Sequence, residues 1–186
     1  MGSTMANRPK LATVSLAGCF GCHMSVLDID ERILKLVELI DFDRSPINDI
    51  KKIEGRVAIG VVEGGCCNEE NVHVLQHFRE HCEVLVSTGD CATMGGIPAL
   101  RNTIPLKECL DEAYLKGPTV YNPRGKLPND PEIPLLLDKV YPCHEVVKMD
   151  YHLPGCPPSA ETIWQALVAL LTGKPIALPY ELIKYD

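Results

Sequence analysis

The cysteines carry the first chemical signal in this 186-residue sequence, which contains nine of them. Cys19 and Cys22 stand three positions apart in the stretch SLAGCFGCHMS, directly after an apolar run. One pair of this spacing is compatible with a redox disulfide, with half of a zinc site or with part of an iron–sulfur cluster. The remaining cysteines must therefore be considered before a use is assigned.

Two further cysteines share a glycine-rich setting with this pair. Cys91 lies in GDCATMGG and Cys156 lies in PGCPPS. Glycine lets the backbone approach a cluster closely, and four thiolates from separate loops can hold one [4Fe–4S] cluster. The pattern favours such a cluster over a zinc site, which usually shows two close cysteine pairs. It also favours the cluster over a thioredoxin-like pair, which would leave Cys91 and Cys156 without a role.

The other cysteines are given simpler interpretations. Cys66 and Cys67 follow VVEGG and are expected at the same edge of the fold as the four candidate ligands. We expect neither to be a ligand, because adjacent cysteines rarely reach one metal without strain. Cys82, Cys109 and Cys143 are predicted to be small buried hydrophobic residues.

One carboxylate is a candidate for proton chemistry. Glu63 ends an apolar, β-branched run, VAIGVVE. A carboxylate at the end of a buried strand beside the ligands could pass protons. It could equally cap the next helix, and the sequence leaves both roles open.

The histidines are predicted to have supporting or solvent-exposed positions. His73, His77 and His81 are spaced four apart on one predicted helix, whose apolar residues lie on another face, so this stripe is expected to face solvent. His23 and His144 each adjoin a cysteine, and a supporting or surface role is expected for both.

The elements that must position these residues alternate between strands and helices. Apolar and β-branched runs predict strands at residues 10–17, 56–64, 83–91 and 145–150, with a possible short one in 41–49. Helical periodicity predicts helices that begin at Ser25, with Asp28 as a possible capping partner, and that span 68–82, 106–115 and 159–171. A long proline-rich loop is expected over 116–145. Alternation of this kind predicts an α/β fold with a doubly wound parallel sheet, which binds ligands at the carboxyl ends of its strands.

Length and composition limit the possible classes of protein. The length predicts a single domain over residues 5–186, and the first four residues, MGST, are interpreted as a cloning remnant. A net charge of −7 argues against nucleic acid as a partner. No apolar stretch approaches the roughly 20 residues of a membrane span. With no secretory signal visible, a cytoplasmic location is expected, where thiols stay reduced. The dinucleotide fingerprint is absent, and FMN in this chain is possible but not favoured.

Four motifs, taken together and in order, resemble the small subunits of nickel–iron hydrogenases. They are GCFGC, VVEGG, STGDCATMGGIPALRN and LPGCPPSAETIW, and the similarity extends from about Lys10 to Leu171. The resemblance implies a flavodoxin-like domain with one proximal [4Fe–4S] cluster, held by Cys19, Cys22, Cys91 and Cys156. It also implies a large-subunit partner that holds the nickel–iron centre, with Glu63 near the interface.

The short segment after Cys156 narrows the resemblance to one group of these small subunits. In this respect the chain is similar to the small subunits of soluble, NAD-reducing (bidirectional) enzymes. In those enzymes, diaphorase iron–sulfur and flavin subunits complete the complex, and NAD binds to a partner subunit. The alternative is an electron-transfer subunit of the respiratory complex I type, without hydrogen chemistry. That family has adjacent cysteines where this chain has the spaced Cys19 and Cys22. A zinc-bound structural module is a third hypothesis, and NADP, a deazaflavin or ferredoxin stay open as acceptors.

Overall fold

The computed structural model describes residues 8–183, so the proposed cloning remnant lies outside the described residues. It contains seven strands, which are β1 (Lys10–Ser15), β2 (Asp41–Phe42), β3 (Val57–Glu63), β4 (Cys66–Asn68), β5 (Cys82–Thr88), β6 (Leu136–Tyr141) and β7 (Tyr151–Leu153). Five of them form a parallel sheet in the order β2-β1-β3-β5-β7, and β4 pairs with β6 antiparallel. When only the five strands of this sheet are numbered along the chain, their order is 2-1-3-4-5, which is the strand order of flavodoxin-like folds.

Helices cover both faces of the sheet. They are α1 (Gly21–Leu27), α2 (Arg32–Leu39), α3 (Glu69–His81), α4 (Asp90–Met94), α5 (Leu106–Asp111) and α6 (Ala160–Leu171). One core layer packs Leu75 and Phe78 of α3 against the sheet, and both side chains are fully buried. The other layer packs Val26, Leu36 and Ile163, from α1, α2 and α6, against the opposite face. The prediction of a doubly wound parallel sheet is thus confirmed.

The strand register aligns the carboxyl ends at one edge. Ser15 pairs with Glu63, Glu63 with Thr88, and Thr88 with Leu153. The loops that follow β1, β3, β5 and β7 therefore leave the sheet side by side. These are the loops that carry the candidate ligands.

Two predictions near the carboxyl-terminal half were wrong. The last strand of the sheet spans Tyr151–Leu153 rather than residues 145–150, since Cys143–Glu145 forms a 3₁₀ turn and Asp150 bonds to Leu85 at the strand entrance. The proline-rich segment is also not one loop to residue 145, because β6 lies within it. An irregular edge strand among prolines shows too little alternation to be recognised locally.

The first helix also differs from its prediction. A single helix from Ser25 was expected, but α1 begins four residues earlier, at Gly21, and a left-handed Asp30 (φ 59°) separates it from α2. Ser25 is not a cap, since its hydroxyl donates to the carbonyl of Pro158. The final helix does begin as predicted, with the Ser159 side chain accepting from the Thr162 N–H. Within residues 8–183, no helix is long and apolar enough to cross a membrane.

Candidate iron–sulfur site

The four predicted ligands line one hollow at the carboxyl edge of the sheet. It offers about 350 Å³ of space, part of it open to solvent, and its walls hold the four cysteines Cys19, Cys22, Cys91 and Cys156. Cys19 and Cys156 are exposed at its mouth, whereas Cys22 and Cys91 are half-buried. Cysteines that are up to 137 positions apart in the chain are thus brought together by the parallel register (Cys19 to Cys156).

Paired backbone bonds hold the four loops in place. The loops after β1 and β3 are joined by Ala17 and Gly65, which exchange two N–H···O bonds of 2.9 Å. The loops after β5 and β7 are joined through Asp90, whose N–H donates to the Gly155 carbonyl at 3.0 Å and whose carboxylate accepts from the Gly155 N–H at 2.7 Å. Each candidate ligand is therefore attached to a loop that a neighbouring loop supports.

Glycines give three of the sulfurs their space. A Cβ built on Gly89 would lie 2.3 Å from Sγ of Cys22, and one on Gly96 would lie 3.0 Å from Sγ of Cys91. A Cβ on Gly21 would lie 3.2 Å from Sγ of Cys19. The backbone thus approaches the sulfurs as a cluster-binding loop must. A four-thiol donor set in a glycine-lined hollow fits a [4Fe–4S] cluster.

Two of the candidate ligands have thiols with raised pKa values. Burial raises the pKa of Cys22, and the nearby Glu63 carboxylate and the other thiols raise it further. Burial and the neighbouring Cys156 and Cys19 also raise the pKa of Cys91. Thiols must lose their protons to become metal ligands, and a bound cation favours that loss.

Glu63 caps the helix that carries Cys22. Its Oε2 accepts the backbone N–H of His23 at 3.0 Å, and its Oε1 lies 3.0 Å from Nδ1 of the same residue. Both side chains are about 3% exposed. Burial raises the pKa of Glu63, but the bonds from His23 and Ser15 outweigh it, so the pKa lies below its usual range. The prediction that Glu63 caps the next helix was wrong, because Asn68 caps α3, whereas Glu63 accepts from the first turn of α1.

A chain of polar side chains leads away from this carboxylate. His23 Nε2 lies 2.9 Å from the hydroxyl of Thr13, which lies 2.7 Å from the hydroxyl of Ser45. All of these groups are buried. Phe20 stacks flat on the His23 ring, with centroids 4.7 Å apart, and itself has a left-handed backbone (φ 69°). Strained backbone of this kind is common where a loop must hold a functional side chain.

The remaining cysteines lie away from the hollow. Cys66 and Cys143 are fully buried and their thiols face each other, so that the contact with Cys66 and burial raise the pKa of Cys143. Cys67 is half-buried in β4, the strand that pairs with β6. Burial was predicted correctly for Cys82 and Cys143 but wrongly for Cys109, which is only partly covered.

The supporting role of Asp90 was not foreseen from the sequence, and for His23 a supporting role was foreseen without its partner. Asp90 adjoins the candidate ligand Cys91, and its loop-joining role depends on a residue 65 positions away. His23 was expected only to support or to lie at the surface, and it proves to be the buried partner of Glu63. The stripe of histidines on α3 is only partly solvent-facing, since His73 is exposed but His77 and His81 are half-buried.

Comparison with known proteins agrees with this geometry. The family model of the NADH ubiquinone oxidoreductase 20 kDa subunit matches residues 19–170. The delta subunit of the NAD-reducing hydrogenase HoxS of Cupriavidus necator is 51% identical over 95% of this chain and 85% of its own length. One subunit of the F420-non-reducing hydrogenase of Methanothermobacter thermautotrophicus is 40% identical over 94% of this chain, which spans only 57% of that protein.

Solved structures show the same fold. A chain of the NAD⁺-reducing [NiFe]-hydrogenase in its H₂-reduced state superimposes with a TM-score of 0.93 and 49% identity, covering 96% of this chain and 99% of that one. A [NiFeSe]-hydrogenase chain from Dm. baculatum superimposes with a TM-score of 0.54 at 16% identity, covering 95% and 69%, which shows the shared fold alone.

Proposed function

Because the chain belongs to the family that includes the 20 kDa subunit of NADH ubiquinone oxidoreductase and the delta subunit of the NAD-reducing hydrogenase, we propose that it is the electron-transfer small subunit of an NAD-reducing [NiFe]-hydrogenase. One observation carries the proposal. The chain superimposes on a chain of such an enzyme with a TM-score of 0.93 at 49% identity, and the match covers 96% of this chain and 99% of that one.

The proposed cluster ligands are Cys19, Cys22, Cys91 and Cys156. When bound, a [4Fe–4S] cluster supplies a one-electron carrier. Gly21, Gly89 and Gly96 keep side chains away from three of the sulfurs, as their close approach requires. In this proposal Asp90 holds the Cys91 and Cys156 loops at a constant separation.

The open mouth of the hollow supports a partner on this side. Cys19 and Cys156 are exposed there, and an iron–sulfur cluster in an exposed position would be accessible to water and oxidants. We propose that the hydrogenase large subunit, with the nickel–iron centre, covers this face. Diaphorase subunits with iron–sulfur clusters, flavin and NAD would complete the complex. We propose a cytoplasmic location, because thiols stay reduced there and remain available to a cluster.

The complex I type of subunit is the alternative, since the family model has that name. The spaced pair Cys19 and Cys22 and the 51% identity to a hydrogenase subunit favour the hydrogenase assignment. The alternative would predict an intact cluster and no reaction with hydrogen.

The test uses the complex that co-purifies anaerobically with the chain. After reductive activation, hydrogen gas is supplied with NAD or with a viologen dye as the electron acceptor. Reduction of NAD is the expected result. Reduction of the dye alone would retain the hydrogenase assignment but place the natural acceptor elsewhere. A cluster-loaded complex that reduces neither acceptor would overturn the hydrogenase proposal in favour of the complex I type.

The ligand set is tested separately. Cys91→Ser and Cys156→Ser variants are expected to lose iron and labile sulfide from this subunit, because each removes one of four thiolates. Unchanged iron content in both variants would contradict the ligand assignment without affecting the hydrogenase assay of the native complex.

A further inference from the structure

A second group of metal-binding side chains lies at the far end of α3. His77, Glu80 and His81 offer donor atoms that all lie within 4.8 Å of one another. The two imidazole rings have centroids 4.1 Å apart. We propose that these three residues form a binding site for a divalent late transition ion such as Zn²⁺ or Ni²⁺. This inference is independent of the proposed function.

The donor types fit that class of ion. Imidazole nitrogen suits zinc, nickel and copper, whereas Mg²⁺ prefers oxygen donors. Two histidines and one carboxylate give three ligands and leave a fourth position for water. A tetrahedral zinc ion with bonds of about 2.1 Å holds its ligands about 3.4 Å apart. The donors in α3 all lie within 4.8 Å of one another, so side-chain rotations that bring them up to about 1.4 Å closer would complete the site.

One hydrogen bond prepares His81 for coordination. Its Nδ1 lies 2.9 Å from the backbone carbonyl of His77, and because a carbonyl can only accept, Nδ1 must carry the proton. Nε2 of the neutral ring is therefore free of hydrogen and can bind a metal. A backbone carbonyl that fixes the tautomer and orientation of a ligating histidine is typical of metal sites.

The local field has contributions of both signs. His81 is the last residue of α3, and the carboxyl end of a helix concentrates partial negative charge, which favours a cation. Glu80 adds a formal negative charge. Arg44 opposes binding, since its guanidinium lies over the Phe78 ring, 5.4 Å from the centroid, and close enough to affect His77. The Glu80 carboxylate opposes the effect of Arg44 on His77.

The site is distinct from the cysteine hollow. It adjoins Cys82, the first residue of β5, whereas the hollow lies beyond Thr88 at the other end of the seven-residue strand. Seven residues of strand correspond to about 20 Å. A metal bound here would cross-link the last turn of α3 at its junction with β5 and would slow opening of that turn.

The test compares variants of the purified, tag-free complex, with its iron–sulfur clusters loaded. After treatment with a chelator, Zn²⁺ binding is measured by equilibrium dialysis for the native complex and for His77→Ala, His81→Ala and Glu80→Gln. The matched control is His73→Ala, which removes an exposed histidine one turn earlier on the same helix and outside the group. Zinc held by cysteines elsewhere is common to all variants and cancels in the comparison.

The native complex and His73→Ala should each bind one equivalent of zinc with the same affinity. In the other three variants the affinity for zinc should fall at least about tenfold, since loss even of a supporting residue costs about 10–100-fold. Zinc should also slow hydrogen exchange in the last turn of α3 in the native complex and in His73→Ala only, which excludes a general loss of folding as the cause. Unchanged binding in His77→Ala, His81→Ala or Glu80→Gln, or equal weakening in His73→Ala, would overturn the proposal.

Discussion

The carboxylate of Glu63 lies against the first turn of α1 and contacts His23 with both oxygens, one on the backbone N–H and one on the ring, each at 3.0 Å. The last residue of β3 thus caps the start of α1, which is the helix that follows β1. This contact fixes the orientation of the turn that carries Cys22. It places a carboxylate, an imidazole and a proposed cluster ligand within one buried group.

Substitution of Glu63 separates its capping role from proton transfer. Glu63→Ala leaves the buried backbone N–H of His23 without an acceptor and should cost about 1–3 kcal/mol of stability. Glu63→Gln retains an acceptor for the backbone N–H but cannot carry a proton. Measured by iron content after heating, Glu63→Ala should lose its cluster at lower temperature, whereas Glu63→Gln should retain it.

The activity of the Glu63→Gln complex then tests the second role. If Glu63 passes protons, hydrogen-driven dye reduction should fall by about 10²-fold or more at unchanged iron content, the usual contribution of a positioned proton-transfer group. Glu63→Asp is the control, since it restores a carboxylate. Full activity in Glu63→Gln would show that the residue acts as a cap alone.

A glycine pair tests the space around Cys22. Gly89→Ala should prevent cluster binding, because its Cβ would lie 2.3 Å from Sγ of Cys22. Gly55 has the same φ of 85° with nothing within 4 Å of its Cβ position, so Gly55→Ala places a side chain at positive φ without the clash. At Gly89 the ψ of 160° adds backbone strain of about 1–3 kcal/mol to the clash. Iron and sulfide should be lost in Gly89→Ala and retained in Gly55→Ala, and equal loss in both would contradict the steric argument.

The parallel sheet and the gathering of four cysteines at its edge could be predicted because both depend on simple rules. Apolar runs that alternate with helical periodicity produce a parallel sheet, and a parallel sheet brings the ends of its strands to one edge. Cys91 and Cys156 follow strands β5 and β7, so their place followed from the strand positions, even though the last strand was predicted several residues too early.

The start of α1 could not be predicted because its cap is distant in the sequence. Local rules look for a polar side chain at the residue before the helix, and Phe20 there cannot act as a cap. Glu63 performs that task only once β1 and β3 have paired. Likewise, the bonds between Asp90 and Gly155 depend on two loops that meet only in the folded sheet.

The buried thiols should be dispensable for the cluster. Cys66 packs in the core against Cys143 and does not line the hollow. Cys66→Ala and Cys67→Ala should therefore retain full iron content, with Cys66→Ala losing about 1–2 kcal/mol of stability from the small cavity it leaves. Iron analysis of the purified complex, with Cys91→Ser as the comparison, checks this. A loss of iron in Cys67→Ala as large as that in Cys91→Ser would place Cys67 among the ligands.

The ion pair of Arg79 and Asp150 should make the junction of β5 and β7 sensitive to acid. Asp150 accepts from Arg79 at 2.6 Å and from the N–H of Leu85 at 2.8 Å. Burial raises its pKa, but these bonds outweigh it, and the pKa lies below its usual range. Because the pKa is lower in the folded than in the unfolded state, the stabilisation is present above about pH 4, the ordinary value for Asp, and is lost as the pH falls through the folded-state pKa.

Hydrogen exchange at Leu85 should be about tenfold faster in Asp150→Asn than in the native complex at pH 7, as expected for loss of a charge-assisted bond of about 1.5 kcal/mol. The ratio should approach one as the pH falls through the folded-state pKa of Asp150, since protonated Asp and Asn are both neutral. A ratio that stays constant over this range would show that the charge of Asp150 does not stabilise the junction.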